Sequence, residues 1–568
     1  MARSLRRSSF VHDFIDRLQK APKPLDTSRA YVSGELPSYD YTDSLELGRL
    51  VTTSRVRSFR VGTGASIYTS TLLPAILKAH HEAIIVTCFW APSKTLDALR
   101  ETLEALADHR RRIVDEGAGS LPTLRVRICL SSRSLLQKLL HTSSRDGYIY
   151  PPSTWEKQLG LLSEEKLRPA RIELHVKSLF FLPFSVMHPK FVVIDRRRAF
   201  MPSCNVSWEP WLEGCVEFEG DAVDALMAFY QRTWEPDMDV TLPLPLVQDE
   251  DLDEAIFNPA IEAPVLPMVR STASYAVSFV TGREQAPPLV VAGGHEATAT
   301  LENTIQTTIL PSSHHRNPRF RFLPWQAHAP APATPLNTAV MQLMDHAQRE
   351  IYVQTPNVTA QCVMDGLLAA LQRGVHVRIV TGRNMMMMEQ IVTAGTTTSM
   401  CIQSLIKRYE VMREAAMAPP GSHQSLLSSW GRPPSRSYGA SNNGEPIQTL
   451  SSLPPPVGRL QISYFCSLHP GSKETGKGKG GRNARRRPSD LEEVLDDAAE
   501  EPVCPHIKLM IVDGRYTLLG SGNMDRASFY TSQELGVLFH GEAFASPVQG
   551  VMNRCLEGRM EKVYDSER

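Results

Sequence analysis

What this chain lacks narrows its possible functions before any motif is read. No charge of one sign prevails, because Lys+Arg and Asp+Glu each number 61. No global field therefore draws the protein toward nucleic acid or an anionic membrane, and any basic patch must be local. The 9 cysteines are scattered, odd in number and without a C-x-x-C pair, which argues against a disulfide framework or a zinc cage and for a reducing compartment. Long apolar runs are missing too: Leu72 to Ala91 carries Lys78, His80, His81 and Glu82, which a spanning helix would not tolerate. The basic, serine-rich start meets Asp13 and Asp16 early and has no apolar h-region, so no secretory signal is expected. The expected location is intracellular, cytoplasmic or peripheral to an internal membrane, with a mitochondrial address as the second reading. No Cys, Asp or Glu set stands at metal-ligand spacing around His80, His81 or His175, so no metal is expected.

What is present is a duplicated phrase. His188-Pro-Lys190-Phe-Val-Val-Ile-Asp195 and His506-Ile-Lys508-Leu-Met-Ile-Val-Asp513 both read H-x-K-x4-D, and at equal spacing each is followed by S-x-N, in Ser203-Cys204-Asn205 and Ser521-Gly522-Asn523. One copy would be a weak signal; two with matching tails are strong.

The repetition extends around the motif. Ala79 to Thr87 lies over Ala347 to Thr355 without a gap, each after a helical apolar pattern, and each reads as helix then strand. A second helix and strand follow in both halves (Leu96 to Leu106 then Leu124 to Leu130; Val363 to Leu371 then Val375 to Val380). Phe191-Val-Val-Ile and Leu509-Met-Ile-Val read as buried central strands. Two α/β domains of like topology are expected. The predicted boundaries are an N-terminal arm at 1–50, a first domain at 51–240 and a proline-rich linker at 241–335, irregular but with some strands. A second domain follows at 336–545, with solvated insertions at 419–456 and 471–501, and a C-terminal tail at 546–568. The 471–501 insertion has a basic and then an acidic half, typical of a solvated segment.

The chemistry concentrates at the repeated phrase. Along a strand alternate residues share a face, so His188 pairs with Lys190 and His506 with Lys508. Each pair joins an imidazole, able to act as nucleophile, base or acid near neutral pH, to an ammonium donor. Ser203, Asn205, Ser521 and Asn523 are expected as neutral donors to a bound phosphate. If the halves meet about a pseudo-two-fold axis, all these groups converge on one phosphorus, giving a phosphoryl-transfer site that requires no cofactor and no metal. Each imidazole needs a carboxylate partner. Glu534 is the candidate in the second repeat; in the first it is Glu213, favoured over Glu217 because Glu213-Gly-Cys-Val resembles Glu534-Leu-Gly-Val.

These residues resemble the phospholipase D superfamily, whose signature is the duplicated H-x-K-x4-D with G-S-x-N after it. The resemblance runs from Val61 to Trp234 and from Pro335 to Phe539 and leans to the compact cardiolipin-synthase-like branch, in segments such as Ala370 to Arg378 and Gly520 to Ser528. It implies two tandem α/β sandwich domains with mixed sheets, related by a pseudo-two-fold axis. The family roles fall on His188, Lys190, Asn205, His506, Lys508 and Asn523, while Asp195 and Asp513 are commonly structural in that family. Pro202 departs from the usual Gly, and the first repeat lacks the Arg526 and Ser528 of the second. No lipid-targeting module or membrane anchor is recognisable ahead of the core. The expected activity is phospholipid phosphodiester cleavage or transfer through a phosphohistidine, with water or an alcohol as acceptor and peripheral membrane contact. A monomer suffices for the site. A nuclease of the same superfamily is the alternative.

Three further stretches carry two readings each. Ser312 to Phe322, basic and aromatic, reads as an anion grip or an exposed turn. Met385 to Met388 reads as the floor of an acyl-chain groove or as packing. Trp208 and Trp211 read as cleft mouth or core.

Overall fold

The computed structural model describes residues 9–21, 44–116, 121–134, 137, 147–181, 185–238, 269–281, 295–302, 304–313, 331–383, 385–417, 456–468 and 499–567. The basic-aromatic stretch from His314 to Phe322 and nearly all of both insertions lie outside them.

A helix, α1 (Ser9–Lys20), precedes the first repeat. Its strands are β1 (Val51–Thr63), β2 (Glu82–Phe89), β3 (Leu124–Ser132), β4 (Ile172–Ser178), β5 (Phe191–Ile194), β6 (Arg198–Pro202) and β7 (Leu212–Glu219), with α2 (Lys94–Asp115) between β2 and β3 and α3 (Asp221–Trp234) after β7. They pair in the order β1-β7-β6-β5-β2-β3-β4; the β2–β3 and β3–β4 pairs are parallel and the rest antiparallel. Parallel neighbours need a helical crossover, and α2 supplies one, opened by Ser93, whose hydroxyl caps the Leu96 amide.

Between the repeats come β8 (Tyr275–Val280), β9 (His295–Thr300) and β10 (Ile305–Ser312). The second repeat continues with α4 (Pro335–His346), β11 (Glu350–Thr355), α5 (Gln361–Gln372), β12 (His376–Thr381), α6 (Met387–Ala394), α7 (Thr398–Met417), β13 (Leu460–Phe465), β14 (Leu509–Val512), β15 (Tyr516–Gly520), α8 (Arg526–Tyr530), β16 (Glu534–His540), α9 (Glu542–Cys555) and β17 (Met560–Asp565). Its pairing order, β10-β16-β15-β14-β11-β12-β13, copies the first sheet strand for strand and sense for sense. The strand that opens this second order thus lies within 241–335, the stretch read from sequence as linker. Within 546–568, read as tail, β17 adds an antiparallel edge to β13. The prolines of 241–335 hid the short Ile305 to Leu310 run, and the C-terminal strand is too polar to stand out.

The halves are not beads on a string. The start of β1 pairs with β10, Val51 opposite Thr308, and one apolar core runs through both sheets, with Phe218 and Phe539 edge to face at 6.0 Å. Among the described residues no helix is long and apolar enough to cross a membrane.

The motif aspartates explain how the central strands are held. Asp195 and Asp513 follow β5 and β14 in the left-handed region, φ 49° and 55°, which Asp tolerates better than most residues. From there the Asp195 carboxylate accepts the amides of His80, His81 and Glu82 at 2.9, 2.8 and 2.8 Å. Asp513 accepts those of Gln348, Arg349 and Glu350 at 3.0, 2.7 and 3.0 Å. Each carboxylate thus ties the far end of the motif strand to the start of its neighbour, away from the histidine. Asp195→Ala is expected to lower unfolding free energy by about 2–4 kcal/mol, since three charge-assisted bonds go and amides are left unpaired. Denaturant unfolding checks this, and an unchanged midpoint would refute the anchoring role.

Candidate active site

Both motif histidines leave the backbone just before their strands begin, in extended segments that pair with the opposite half. Met187 bridges Gln533, and the His188 amide donates to Gln533 O at 3.0 Å. In mirror fashion Leu212 bridges Pro505, and the His506 amide donates to Leu212 O at 2.8 Å. This exchange sets which carboxylate meets which ring. His188 Nδ1 lies 2.9 Å from Glu534 Oε2, and His506 Nδ1 lies 2.7 Å from Glu213 Oε1. Each imidazole is therefore partnered across the pseudo-two-fold, not within its own repeat. Glu217, weighed against Glu213, sits four residues along β7, about 13 Å at strand rise, where it meets Ser58 and Arg198 instead.

With Nδ1 held by a carboxylate, each ring has Nε2 left for chemistry. Both rings line one cavity of about 300 Å³, together with Asn205, Asn523, Trp211, Asp525, Ser528 and Glu534. Other walls are Cys88 and Phe89 from the first half and Pro356, Asn357, Met386, Glu389 and Gln390 from the second. The Trp211 and His506 rings stand 4.7 Å apart.

The lysines and serines stand behind the rings. Lys190 Nζ donates to His188 O at 2.9 Å and Lys508 Nζ to His506 O at 2.6 Å. Ser203 and Ser521, expected at the phosphate, instead donate to Glu213 and Glu534 and accept the amides of Gly214 and Leu535 at 2.9 and 3.0 Å. Both hydroxyls are buried and occupied with aiming the carboxylates. Asn205 Oδ1 accepts the Phe89 amide at 3.2 Å, whereas Asn523 Nδ2 donates to Asp525 Oδ2 at 3.0 Å.

The two ends of the cavity differ. Glu534 accepts a further bond from Ser528 at 2.9 Å, and Asp525 caps α8 through the Ser528 amide at 2.8 Å. The first repeat has Ser207 and Pro210 at the matching places, and the acid it brings to the cavity is Glu209. Asp525 was not singled out in the sequence; its one signal was the D-x-x-S cap pattern two residues after Asn523.

Burial dominates the electrostatics. It pulls both imidazoles below their usual range against the attraction of their glutamates, His506 to about 3. Burial would raise Glu213 and Glu534, but the contacts with His506 and His188 outweigh it and hold both carboxyls low. The serines and the lysines add to that lowering, after the histidines. Lys508 is lowered to about 7, first by burial and then by repulsion from Lys190. The charge of Lys508 acts on His188 and that of Lys190 on His506, so the cationic groups of both halves share one space. Burial also raises Asp525.

Two outcomes follow from this geometry. Glu213→Gln is expected to move the His506 ring resonances in a ¹⁵N-histidine spectrum and leave His188 in place, and Glu534→Gln the reverse; cis-coupled changes would refute the crossed pairing. Because a lowered lysine is charged only below its own pKa, sulfate is expected to bind more tightly at about pH 6 than at about pH 8.5. Calorimetric titration checks this, with Lys508→Met expected to flatten the dependence.

A family model described as "Cardiolipin synthase, PLD-like domain" matches residues 340–423 and 480–556. No curated protein matches the chain significantly. Among solved structures, the phosphatidylserine synthase of Haemophilus influenzae Rd KW20 is similar at 11% identity, covering 98% of this chain and 92% of that one, with a TM-score of 0.44. Nuc, a phospholipase D family member from Salmonella typhimurium, is similar at 14% identity over 40% of this chain and 91% of its own, with a TM-score of 0.22. The polyphosphate kinase of Porphyromonas gingivalis is similar at 8% identity over 87% and 46%, with a TM-score of 0.37. Likeness at these levels carries nothing about substrate. With the family model matched in the second repeat and both motif histidines facing one cavity, the chain is similar to the cardiolipin-synthase-like domains of the phospholipase D superfamily.

Proposed function

We propose that the protein is a phospholipid phosphodiesterase or phosphatidyltransferase of the cardiolipin-synthase-like kind, working through a covalent phosphohistidine. The observation that carries this reading is the opening of both imidazoles, each backed by a carboxylate, into a single cavity. In the first step Nε2 of one ring attacks phosphorus. The bond from phosphorus to the leaving alkoxide breaks, and that alkoxide takes the proton of the other, cationic ring. Water or an alcohol then attacks phosphorus, giving its proton to the second ring while the phosphorus–nitrogen bond breaks. Glu534 and Glu213 fix the Nδ1–H tautomer and steady each ring when it is charged. Lys190, Lys508, Asn205 and Asn523 balance the charge on the phosphoryl oxygens. An anionic diester entering the cavity restores the proton affinity that burial withdraws from the rings.

The lipid class is supported by the apolar side chains of Phe89, Trp211 and Met386 among the cavity walls, and by the absence of net positive charge. A monomer with peripheral membrane contact is sufficient for such a substrate. A nuclease would act on the same diester group but needs cationic ground for a polyanion.

Mixed phospholipid vesicles with added glycerol or a primary alcohol, and no added metal, are expected to yield released headgroup and exchanged lipid, and rapid quenching an acid-labile phosphoenzyme. His188→Asn and His506→Asn are each expected to lower turnover by roughly 10³-fold or more. Equal product from wild type and variant would end the reading, and DNA or RNA cleavage that fades with salt would transfer it to the nuclease.

A further inference from the structure

One surface feature adjoins the cavity without belonging to its chemistry. The methionine run opens α6, and the exposed positions Met387, Met388, Ile391 and Val392 recur at helical spacing along one side of that helix. Met388 is 75% exposed and Val392 61%, with Met400 of α7 at 59%. Large apolar side chains this accessible along one side of a helix mark a contact surface. Met386 begins the helix in the left-handed region at φ 51°, a conformation that methionine seldom adopts, and its exposed side chain borders the cavity.

The same helix turns its other side to the active site. Glu389, Gln390 and Thr393 line the cavity. Buried Gln390 donates to Asn357 Oδ1 at 2.9 Å and accepts the Thr398 amide at 2.6 Å. Thr398 Oγ1 in turn accepts the Val358 amide at 3.1 Å, and Val358 bridges Met524, next to Asn523. The apolar face is thus bolted to the phosphate end of the cavity through a chain of hydrogen bonds. On the first-repeat side, Trp208 is 60% exposed and stands edge-on to Phe89, a cavity wall, at 6.2 Å. Indole at such a border suits the zone between water and acyl chains.

We propose that the exposed face of α6 seats the protein on the surface of a phospholipid bilayer so that the cavity mouth meets the headgroup plane. This rests on the phospholipid reading above and adds the docking element to it. Continuity with the cavity selects the occupant: a second protein on this lip would obstruct the mouth, whereas a bilayer presents the diester to it and takes up the methionines. Unbranched, flexible methionine adapts to such an irregular apolar phase. Docking is apolar more than ionic, because Arg383, the cation beside the run, is paired with Glu561 at 2.6 Å and stacked over Tyr464 at 5.0 Å.

The test uses the full chain and the double variant Met388→Glu, Ile391→Glu, with thermal melting to verify folding. Parent protein is expected to sediment with phosphatidylcholine–phosphatidylglycerol vesicles and to stay bound when salt is raised to about 0.5 M. The variant is expected to bind roughly tenfold more weakly, to lose activity on vesicles and to keep the parent's activity on bis(p-nitrophenyl) phosphate, which needs no bilayer. Equal sedimentation of parent and variant overturns the inference. So does a parent dimer that the variant breaks, which would give the face to a second copy. If the parent cleaves neither lipid nor soluble diester, the phosphodiester reading fails, and sedimentation alone still decides the docking.

Discussion

Two buried imidazole–carboxylate contacts, each made across the pseudo-two-fold axis, are the constraint from which the rest of the site follows. Glu534 reaches His188 and Glu213 reaches His506 because the segment before each histidine pairs with the strand start of the other repeat. A carboxylate in that position is costly to bury unless it is paired and hydrogen-bonded. The structure meets this with a serine hydroxyl on each glutamate and a lysine behind each ring. The order of layers is therefore fixed: serine aims carboxylate, carboxylate aims imidazole, and imidazole faces the cavity.

The sheets supply the rigidity that such an order demands. Both motif strands are apolar on both faces and lie in the middle of their sheets, so the histidine at one end and the aspartate at the other cannot shift independently. The left-handed aspartates act as clamps on the neighbouring strand. That arrangement gives the acid at the end of the phrase an anchoring place in the sheet.

Much of this was legible in the sequence because the fold is written twice. Matching segments around Glu82 and Glu350, and the paired H-x-K runs, specify the same strand order in each half. Short range was also informative at Glu213, where local similarity to Glu534 pointed to the carboxylate at the start of the first repeat's last strand. The crossing of the pairs was not legible, since spacing along a chain says nothing about which half a side chain will face. Nor were the serines, whose nearness to asparagine suggested a ligand when their hydroxyls are turned to the glutamates. Strand β10 escaped notice within a proline-rich stretch, and Asp525 was masked by its plain appearance as a helix cap. The exposed side of α6 was visible only as four consecutive methionines, a pattern that equally describes a packed interior until accessibility is known.

The swapped glutamates also bear on how competence is acquired. Neither repeat, folded alone, contains a properly oriented ring, because the acid that orients it is encoded in the other half of the chain. Pairing of each ring with its acid therefore cannot precede docking of the halves. Completion of the tertiary structure and assembly of the site become one event.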